Sequence, residues 1–283
     1  MKVLSRLTAI AATVAALSAG AGAAFAGLGQ PTPWQLGMQD AATPVMVDIV
    51  SFHDFVLWLI TAITVFVLVL LLVVMFRFNA SSNPTPTRTT HNTLLEVMWT
   101  IVPVIILVLI AIPSFRLLFT ELDVPTPDLT VKATGKQWYW SYAYPDNGNF
   151  EFDSLLVAEK DLKPGQPRLL TVDNEMVVPV NKVVHVLVTG ADVIHSFNVP
   201  SFGIRIDAIP GRVNETWFKA TMLGTFHGQC SELCGKDHAF MPVTVRVVND
   251  NDFTAWAAQA KQKFAGDENA RPAAVAAAEP AAR

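Results

Sequence analysis

The segment Cys230-Ser231-Glu232-Leu233-Cys234-Gly235-Lys236-Asp237-His238-Ala239-Phe240-Met241 gathers two thiols, an imidazole and a thioether into one short stretch. Its cysteines are the only two in the 283-residue chain. Thiolate, imidazole and thioether are the donors that soft copper chemistry uses. A second imidazole stands upstream in Asp192-Val193-Ile194-His195-Ser196-Phe197. A loop with one cysteine would suit a single blue copper. Two cysteines at this spacing point to two coppers bridged by both sulfurs. Two plainer readings stay open on the residues alone. Cysteines of an exported chain can pair as a disulfide, and two cysteines with two histidines can hold a structural zinc. Neither has a use for Met241, so copper is favoured.

Ligands so far apart in sequence need a rigid scaffold to meet. Beyond Pro125 and Pro127 the pattern turns to short, alternating, β-branched segments. Leu129, Val131 and Ala133 alternate, and Trp138 to Tyr144 is strongly aromatic. Further strands are expected at 169–172, 183–188, 194–199, 215–220 and 243–248. Pro145-Asp146-Asn147-Gly148, Lys163-Pro164-Gly165 and Ile209-Pro210-Gly211 mark turns between them. Many short strands with regular turns predict an all-β Greek-key sandwich over 125–250. The cysteine loop falls between two strands and His195 near the start of another, so one end of the sandwich can collect them. Phe253, Trp256, Ala257, Ala260 and Phe264 then recur at helical spacing, predicting a helix over 251–266 with Asp252 as its N-cap. The Ala- and Pro-rich stretch 267–283 reads as a disordered tail.

The first part of the chain addresses a membrane. Lys2, Arg6, the apolar stretch Leu7 to Ala19 and Ala24-Phe25-Ala26 form a signal-peptide pattern over 1–26. Two longer runs, 55–76 and 97–115, carry no charge. Each can cross a hydrocarbon core of about 30 Å as a helix. The expected order is an extracytoplasmic segment 27–54, transmembrane helix 55–76, link 77–94 and transmembrane helix 95–119. Pro103 and Pro113 lie inside the second span, where membrane helices tolerate them. The link holds Arg77 and Arg88 and no acid, while Asp40, Asp48, Asp54, Glu121 and Asp123 flank the outer ends. The positive-inside rule puts the link in the cytoplasm and the β domain outside. The hydrophobic content of 52% is mostly a membrane effect. Acids and bases of the β domain nearly balance, so net charge names no partner and gives no sign of nucleic-acid binding.

This combination, a two-helix transmembrane hairpin followed by a cupredoxin-like sandwich, resembles subunit II of bacterial cytochrome c oxidases. The resemblance covers roughly Trp34 to Phe264 and rests on four motifs in order. They are Gly135-Lys136-Gln137-Trp138-Tyr139-Trp140, Asp192 to Phe197, Asp207-Ala208-Ile209-Pro210-Gly211-Arg212, and Gly228-Gln229-Cys230 through Met241. It implies a dinuclear copper A centre held by His195, Cys230, the Glu232 backbone carbonyl, Cys234, His238 and Met241. Each copper would have both thiolates, one imidazole and one weak axial donor. It implies that the Glu232 carboxylate binds a magnesium shared with subunit I, although an exposed acid alone would read as surface. It makes Trp138 the point where electrons enter from cytochrome c, although an aromatic in a strand normally packs in a core. Trp140 fits packing. Asp173 and Asp192 map to acids that dock cytochrome c. Ala143 stands where an acid is common, which weakens that patch. Glu96 matches a residue at the mouth of a proton channel, and Arg212 one near the haem propionates of subunit I. A helix-end acid and a turn residue are the plain readings of those two.

The implied function is the electron-accepting subunit of a respiratory oxidase in the bacterial inner membrane, with N-terminus and copper domain periplasmic. Its partners would be subunits I and III, cytochrome c and membrane lipid. Oxygen chemistry would belong to subunit I. A quinol oxidase subunit lacks the copper ligands, and nitrous oxide reductase adds a propeller domain. A membrane-anchored copper carrier or assembly factor is the alternative, but it needs neither six converging ligands nor Trp138. No Cys-x-x-Cys-His is present, so the donor haem is carried elsewhere. His185 reads as structural and His227 as a neighbour of the copper loop. The signal pattern predicts a mature chain starting after Ala26 or within a few residues of it. Intact mass or N-terminal sequencing of the assembled protein checks this, and Met1 retained there contradicts the export argument.

Overall fold

In the computed structural model, which describes residues 29–85 and 87–264, the alternation that starts at Leu129 becomes a strand with Leu129, Val131, Ala133 and Gly135 turned inward. This strand, β1 (Leu129–Lys136), is the centre of a five-stranded sheet. It pairs antiparallel with β2 (Tyr139–Tyr144), which pairs with β3 (Phe150–Ser154). On its other side it pairs parallel with β5 (Val183–Gly190), which continues to β8 (Asn214–Lys219). A second sheet holds β4 (Met176–Pro179), β10 (Pro242–Val248) and β9 (Gly224–Gln229) in that order. A hairpin of β6 (His195–Val199) and β7 (Ile204–Ala208) completes the set. The chain leaves the first sheet after β3, after β5 and after β8, so neighbours in space are distant in sequence. This is the Greek-key sandwich expected from the pattern.

The register explains the core. Val131 faces Val186 across the parallel ladder, so both side chains leave the sheet on one side. Trp140, Tyr142 and Tyr144 follow on β2. From the opposite sheet come Phe226, Val243, Val245 and Val247, all buried. The Tyr144 hydroxyl donates to the Val177 carbonyl and accepts from the Val177 N–H, both at 2.9 Å, which satisfies a polar atom in the core.

Two long apolar helices precede the sandwich: α1 (Pro44–Arg77) and α2 (Thr93–Leu122). Their apolar runs are exposed in the isolated chain, as membrane segments are. Both helices outrun the spans read from hydropathy. α1 begins eleven residues before Phe55, and its first turn leaves the membrane register to enter the sandwich. Thr43 caps it, accepting from the Met46 N–H at 3.0 Å and donating to the Phe202 carbonyl at 2.7 Å. Ala42 beside it exchanges backbone bonds with Ser201 and Thr221. α2 runs through Pro103 and Pro113 without a break. At its start Asn92 accepts from Leu95 N–H, and the Glu96 carboxylate accepts from Asn92 N–H at 3.3 Å.

Three local expectations are corrected. Residues 169–172 form a turn, not a strand. Pro167 starts it, Leu169 sits at φ +64°, and Thr171 donates back to the Pro167 carbonyl. Only Val172 touches a strand-like partner, Leu156. The C-terminal helix α3 (Asp250–Phe264) begins earlier than expected. Asn249 is its cap, accepting from Asp252 N–H at 2.9 Å, and Asp252 lies within the first turn. Trp138 is not in a strand, because β1 ends at Lys136 and β2 starts at Tyr139. The signal segment 1–26 and the tail 267–283 lie outside the described residues.

Thr43 is a weld between α1 and the sandwich. Thr43→Val keeps the shape and removes both bonds. The expected cost is about 1–2 kcal/mol, read as a lower unfolding temperature of the exterior domain by fluorescence in the full-length protein. An unchanged temperature would show that the weld carries no stability.

Candidate metal centre

The loop between β9 and β10 is closed at its base by the Cys230 N–H donating to the Met241 carbonyl at 3.4 Å. Inside it, the Gly235 carbonyl accepts from His238 N–H and the Asp237 carbonyl from Phe240 N–H. These tight turns aim the donors at one point. The Sγ atoms of Cys230 and Cys234 lie 3.8 Å apart. His195 Nδ1 is 4.0 Å from Cys230 Sγ, and His238 Nδ1 is 3.6 Å from Cys234 Sγ. The Glu232 carbonyl is 3.3 Å from Cys230 Sγ, and Met241 Sδ is 3.5 Å from Cys234 Sγ. Each sulfur thus has one imidazole nitrogen and one weak donor beside it. All six donors named from the sequence meet here.

Most of the site is dry. His195 is fully buried, Met241, Cys230 and Cys234 are almost so, and His238 is half-buried. The sulfurs are unbonded, far beyond the disulfide length of about 2.05 Å. A tetrahedral zinc would take two cysteines and two histidines and leave Met241 and the Glu232 carbonyl idle. An imidazole beside each sulfur, with the Met241 thioether beside one and the Glu232 carbonyl beside the other, fits a copper A site. The two thiols are unequal. Burial opposes ionisation of Cys230, but bonding to His195 and to backbone groups of Ser196 and Glu232 outweighs it and brings the thiol down to about 6. Burial and the negative Cys230 beside it push Cys234 up to about 12. Metal binding therefore has to displace a proton from Cys234.

His195 is oriented from behind. Its Nε2 lies 2.8 Å from Asp192 Oδ1, leaving Nδ1 for the sulfur side. A carboxylate on the remote ring nitrogen is the usual device for fixing a metal-binding imidazole. Asp192 also accepts from Val193 N–H and Gln137 N–H, both at 2.7 Å. Burial works against its charge, yet these bonds hold its carboxyl below the usual range. The side chain of His195 packs closely against β1 at Gly135, where a Cβ would sit 2.8 Å from the imidazole. A glycine is required at that spot. The edge of Trp140 meets His195 from the core side, so Trp140 is a packing residue.

Gln137 and Trp138 form the turn between β1 and β2, set against the cysteine loop. Gln137 Nε2 donates to the Cys234 carbonyl at 2.9 Å, and Trp138 Nε1 reaches the same oxygen at 3.3 Å. The indole is half-buried and covers Gly235, where a Cβ would lie 2.9 Å from the ring. Lys236 stands over the indole, 5.6 Å from its centroid. From the β6–β7 hairpin, Asn198 and Arg205 donate to Ser231 at 2.9 and 2.8 Å, pinning the start of the loop.

The remaining predicted residues stand apart from this cluster. Glu232 is exposed. Asp173 is exposed and accepts from Leu155 N–H and Asn174 N–H. Arg212 is exposed in the turn after β7, and its carbonyl accepts from Thr189. Glu96 lies in the membrane hairpin as a helix-end acid. His185 pairs with Glu215 at 2.9 Å on the sheet. His227 is buried against the Leu170 carbonyl and Thr244, which are its hydrogen-bond neighbours in place of any copper-loop residue. Sequence reasoning missed Gln137, Asn198 and Arg205, and it read Asp192 as a docking acid without its bond to His195. The spacing Asp192-x-x-His195 was the available signal.

The family profile described as the periplasmic domain of cytochrome c oxidase subunit II matches residues 129–248, and the profile of its transmembrane domain matches residues 31–117. A probable cytochrome c oxidase subunit 2 of Rickettsia bellii is 50% identical over 245 residues, covering 87% of this chain and 91% of that protein. Cytochrome c oxidase subunit 2 of Cereibacter sphaeroides is 44% identical over 252 residues, covering 83% of each. The crystallised periplasmic domain of cytochrome oxidase subunit II from Bradyrhizobium japonicum is 70% identical, with 50% of this chain and 99% of that one covered and a TM-score of 0.48. With both family domains in order, and half the residues shared along nearly the whole Rickettsia protein, the chain belongs to the cytochrome c oxidase subunit II family.

Proposed function

We propose that this subunit accepts electrons one at a time from cytochrome c and delivers them to haem in subunit I, where oxygen is reduced and protons are pumped. His195, Cys230, the Glu232 carbonyl, Cys234, His238 and Met241 would hold a dinuclear copper A centre. That centre, when bound, supplies a one-electron carrier whose charge is shared over two metals and two sulfurs. The observation that carries this reading is the even division of the donors: one imidazole and one weak ligand beside each sulfur. The buried, cross-braced donors also favour it over a copper carrier or assembly factor, which must release its cargo. Rigid positioning keeps the rearrangement small when charge arrives and leaves.

Trp138 is the surface contact for the donor. Its ring is partly exposed, and its N–H reaches the backbone of Cys234, a short bonded route inward. Asp173 supplies a rim charge that steers the lysine-rich face of cytochrome c. Asp192, a third exposed, contributes charge there too, but its main partner is His195. The Glu232 carboxylate, on an exposed residue whose carbonyl lies beside Cys230 Sγ, suits a magnesium shared with subunit I, since that ion takes oxygen ligands. Arg212 would meet the haem propionates, and Glu96 the mouth of a proton channel. The arginine-bearing link puts the exterior domain on the periplasmic side of the inner membrane. Subunit III joins subunit I as a partner.

Two experiments test this reading. Cys230→Ser or Cys234→Ser in the purified complex is expected to abolish the resonance of one electron delocalised over two coppers, because each sulfur serves both metals. A localised single-copper signal in the wild type would refute the dinuclear centre. Trp138→Ala is expected to slow transfer from bound cytochrome c strongly, with little change in the copper spectrum. Asp173→Asn is expected instead to weaken association and flatten its salt dependence. Stopped-flow reduction at several ionic strengths separates the two, and copper loss in Trp138→Ala would mark Trp138 as structural.

A further inference from the structure

The two ligand-bearing segments come from different elements. His195 opens the β6–β7 hairpin, whereas both cysteines, His238 and Met241 belong to the β9–β10 loop. One residue bonds to both groups. Gln137 gives its backbone N–H to Asp192 Oδ2 at 2.7 Å, and Asp192 in turn holds His195 Nε2. It gives its side-chain amide to the Cys234 carbonyl at 2.9 Å, the shorter of the two bonds to that oxygen. The path from Cys234 to His195 therefore runs carbonyl, Gln137, Asp192, imidazole, with a hydrogen bond at each junction.

We propose that Gln137 is a positioning residue for the metal centre, a staple that locks the His195 segment to the cysteine loop, and that it acts on ligand geometry rather than on donor docking. The proposal rests on the copper reading above. The physical basis is that the turn itself is held by the hairpin, which pairs Lys136 with Tyr139, so the Gln137 backbone N–H is a fixed post for Asp192. The Gln137 side chain is exposed overall, with the terminal amide engaged on the Cys234 carbonyl. Cutting the amide bond removes the shorter of the two hydrogen bonds that tie this post to the cysteine loop. The two ligand-bearing segments then lose part of their common reference, although the substitution removes no atom from Asp192 or His195. Trp138 reaches the Cys234 carbonyl through the longer bond, and of the two turn residues it is Gln137 that also bonds to Asp192.

The test uses the full-length subunit in the assembled complex. Gln137→Leu removes the donor at similar length. Copper transfer to a strong chelator is expected to quicken about 10-fold or more, the scale of losing an outer-shell partner. The copper resonance should change its hyperfine pattern, while KM for cytochrome c and its salt dependence stay put. In copper-free protein, amide exchange should rise both at 230–241 and at 192–197, the second of which the Gln137 side chain does not touch. Gln137→Glu is the control against misfolding. It keeps the length and gives the same spectral change at neutral pH, partly reversed when the carboxyl is protonated and can donate again. A raised KM with an unchanged resonance would make Gln137 a docking residue and overturn the proposal. Faster exchange confined to 230–241 would also overturn it, since no coupling to His195 would exist. Should the wild type lack the two-copper signal, the copper reading and this proposal fall together; should it show the signal and Gln137→Leu match it in every readout, only the proposal falls.

Discussion

Two sulfur atoms 3.8 Å apart in a nearly dry site set the terms for everything around them. A pair of thiolates at that distance cannot both keep their charge without a cation, because burial weakens the solvation that would separate them. His195 beside Cys230 favours ionisation there, while burial and the neighbouring sulfur oppose it at Cys234. Holding both sulfurs as thiolates at this distance would need positive charge between them. The two cationic side chains at the loop are engaged elsewhere, Lys236 on the Trp138 face and Arg205 on the Ser231 carbonyl.

Keeping the two sulfurs at that separation is what the bracing does. The brace comes from three directions. Met241 closes the base, the β6–β7 hairpin grips Ser231 through Asn198 and Arg205, and the β1–β2 turn grips Cys234. Glycines permit the close approach: Gly135 under the His195 ring and Gly235 under the indole. A side chain at either would force the imidazole or the indole off its seat, so these two positions belong to the site as much as its ligands do.

The ligand set was legible in the sequence because soft donors are rare and their spacing is local. Cysteines four apart, then His238 and Met241, need no tertiary information to be recognised. The alternation of β1, β5 and β10 was legible for a similar reason, since one face of each is buried. What failed was anything decided by partners. The segment 169–172 has the right residues for a strand, yet Pro167 and the left-handed Leu169 bend it into a turn. β3, β4, β7 and β9 were passed over because they are short or mixed, and they form through cross-strand pairing. Asp192 read as a surface acid because its bond to His195 depends on a turn between segments. Gln137 stood inside the Gly135 to Trp140 motif, but nothing in the sequence assigned it a bond. An amide in a turn becomes informative only when the fold brings Cys234 to it.

The membrane helices belong to this same argument. α1 does not merely tether the sandwich, because its cap is shared with it. Thr43 bonds to Phe202, Ala42 is part of the core, and Met46 packs against Gly203. Phe202 in turn stacks on Phe218 and touches Phe226 of β9, the strand that leads into the cysteine loop. A chain of rigid contacts therefore runs from the first turn of the membrane helix to the metal-binding loop. A flexible linker would let the site wander over the membrane surface, and the distance to any acceptor in the bilayer would vary with it. With the cap built into the core, the height and tilt of the site follow from the helix. The proposed electron-accepting role would use that property, because transfer to a partner fixed in the membrane falls steeply with distance.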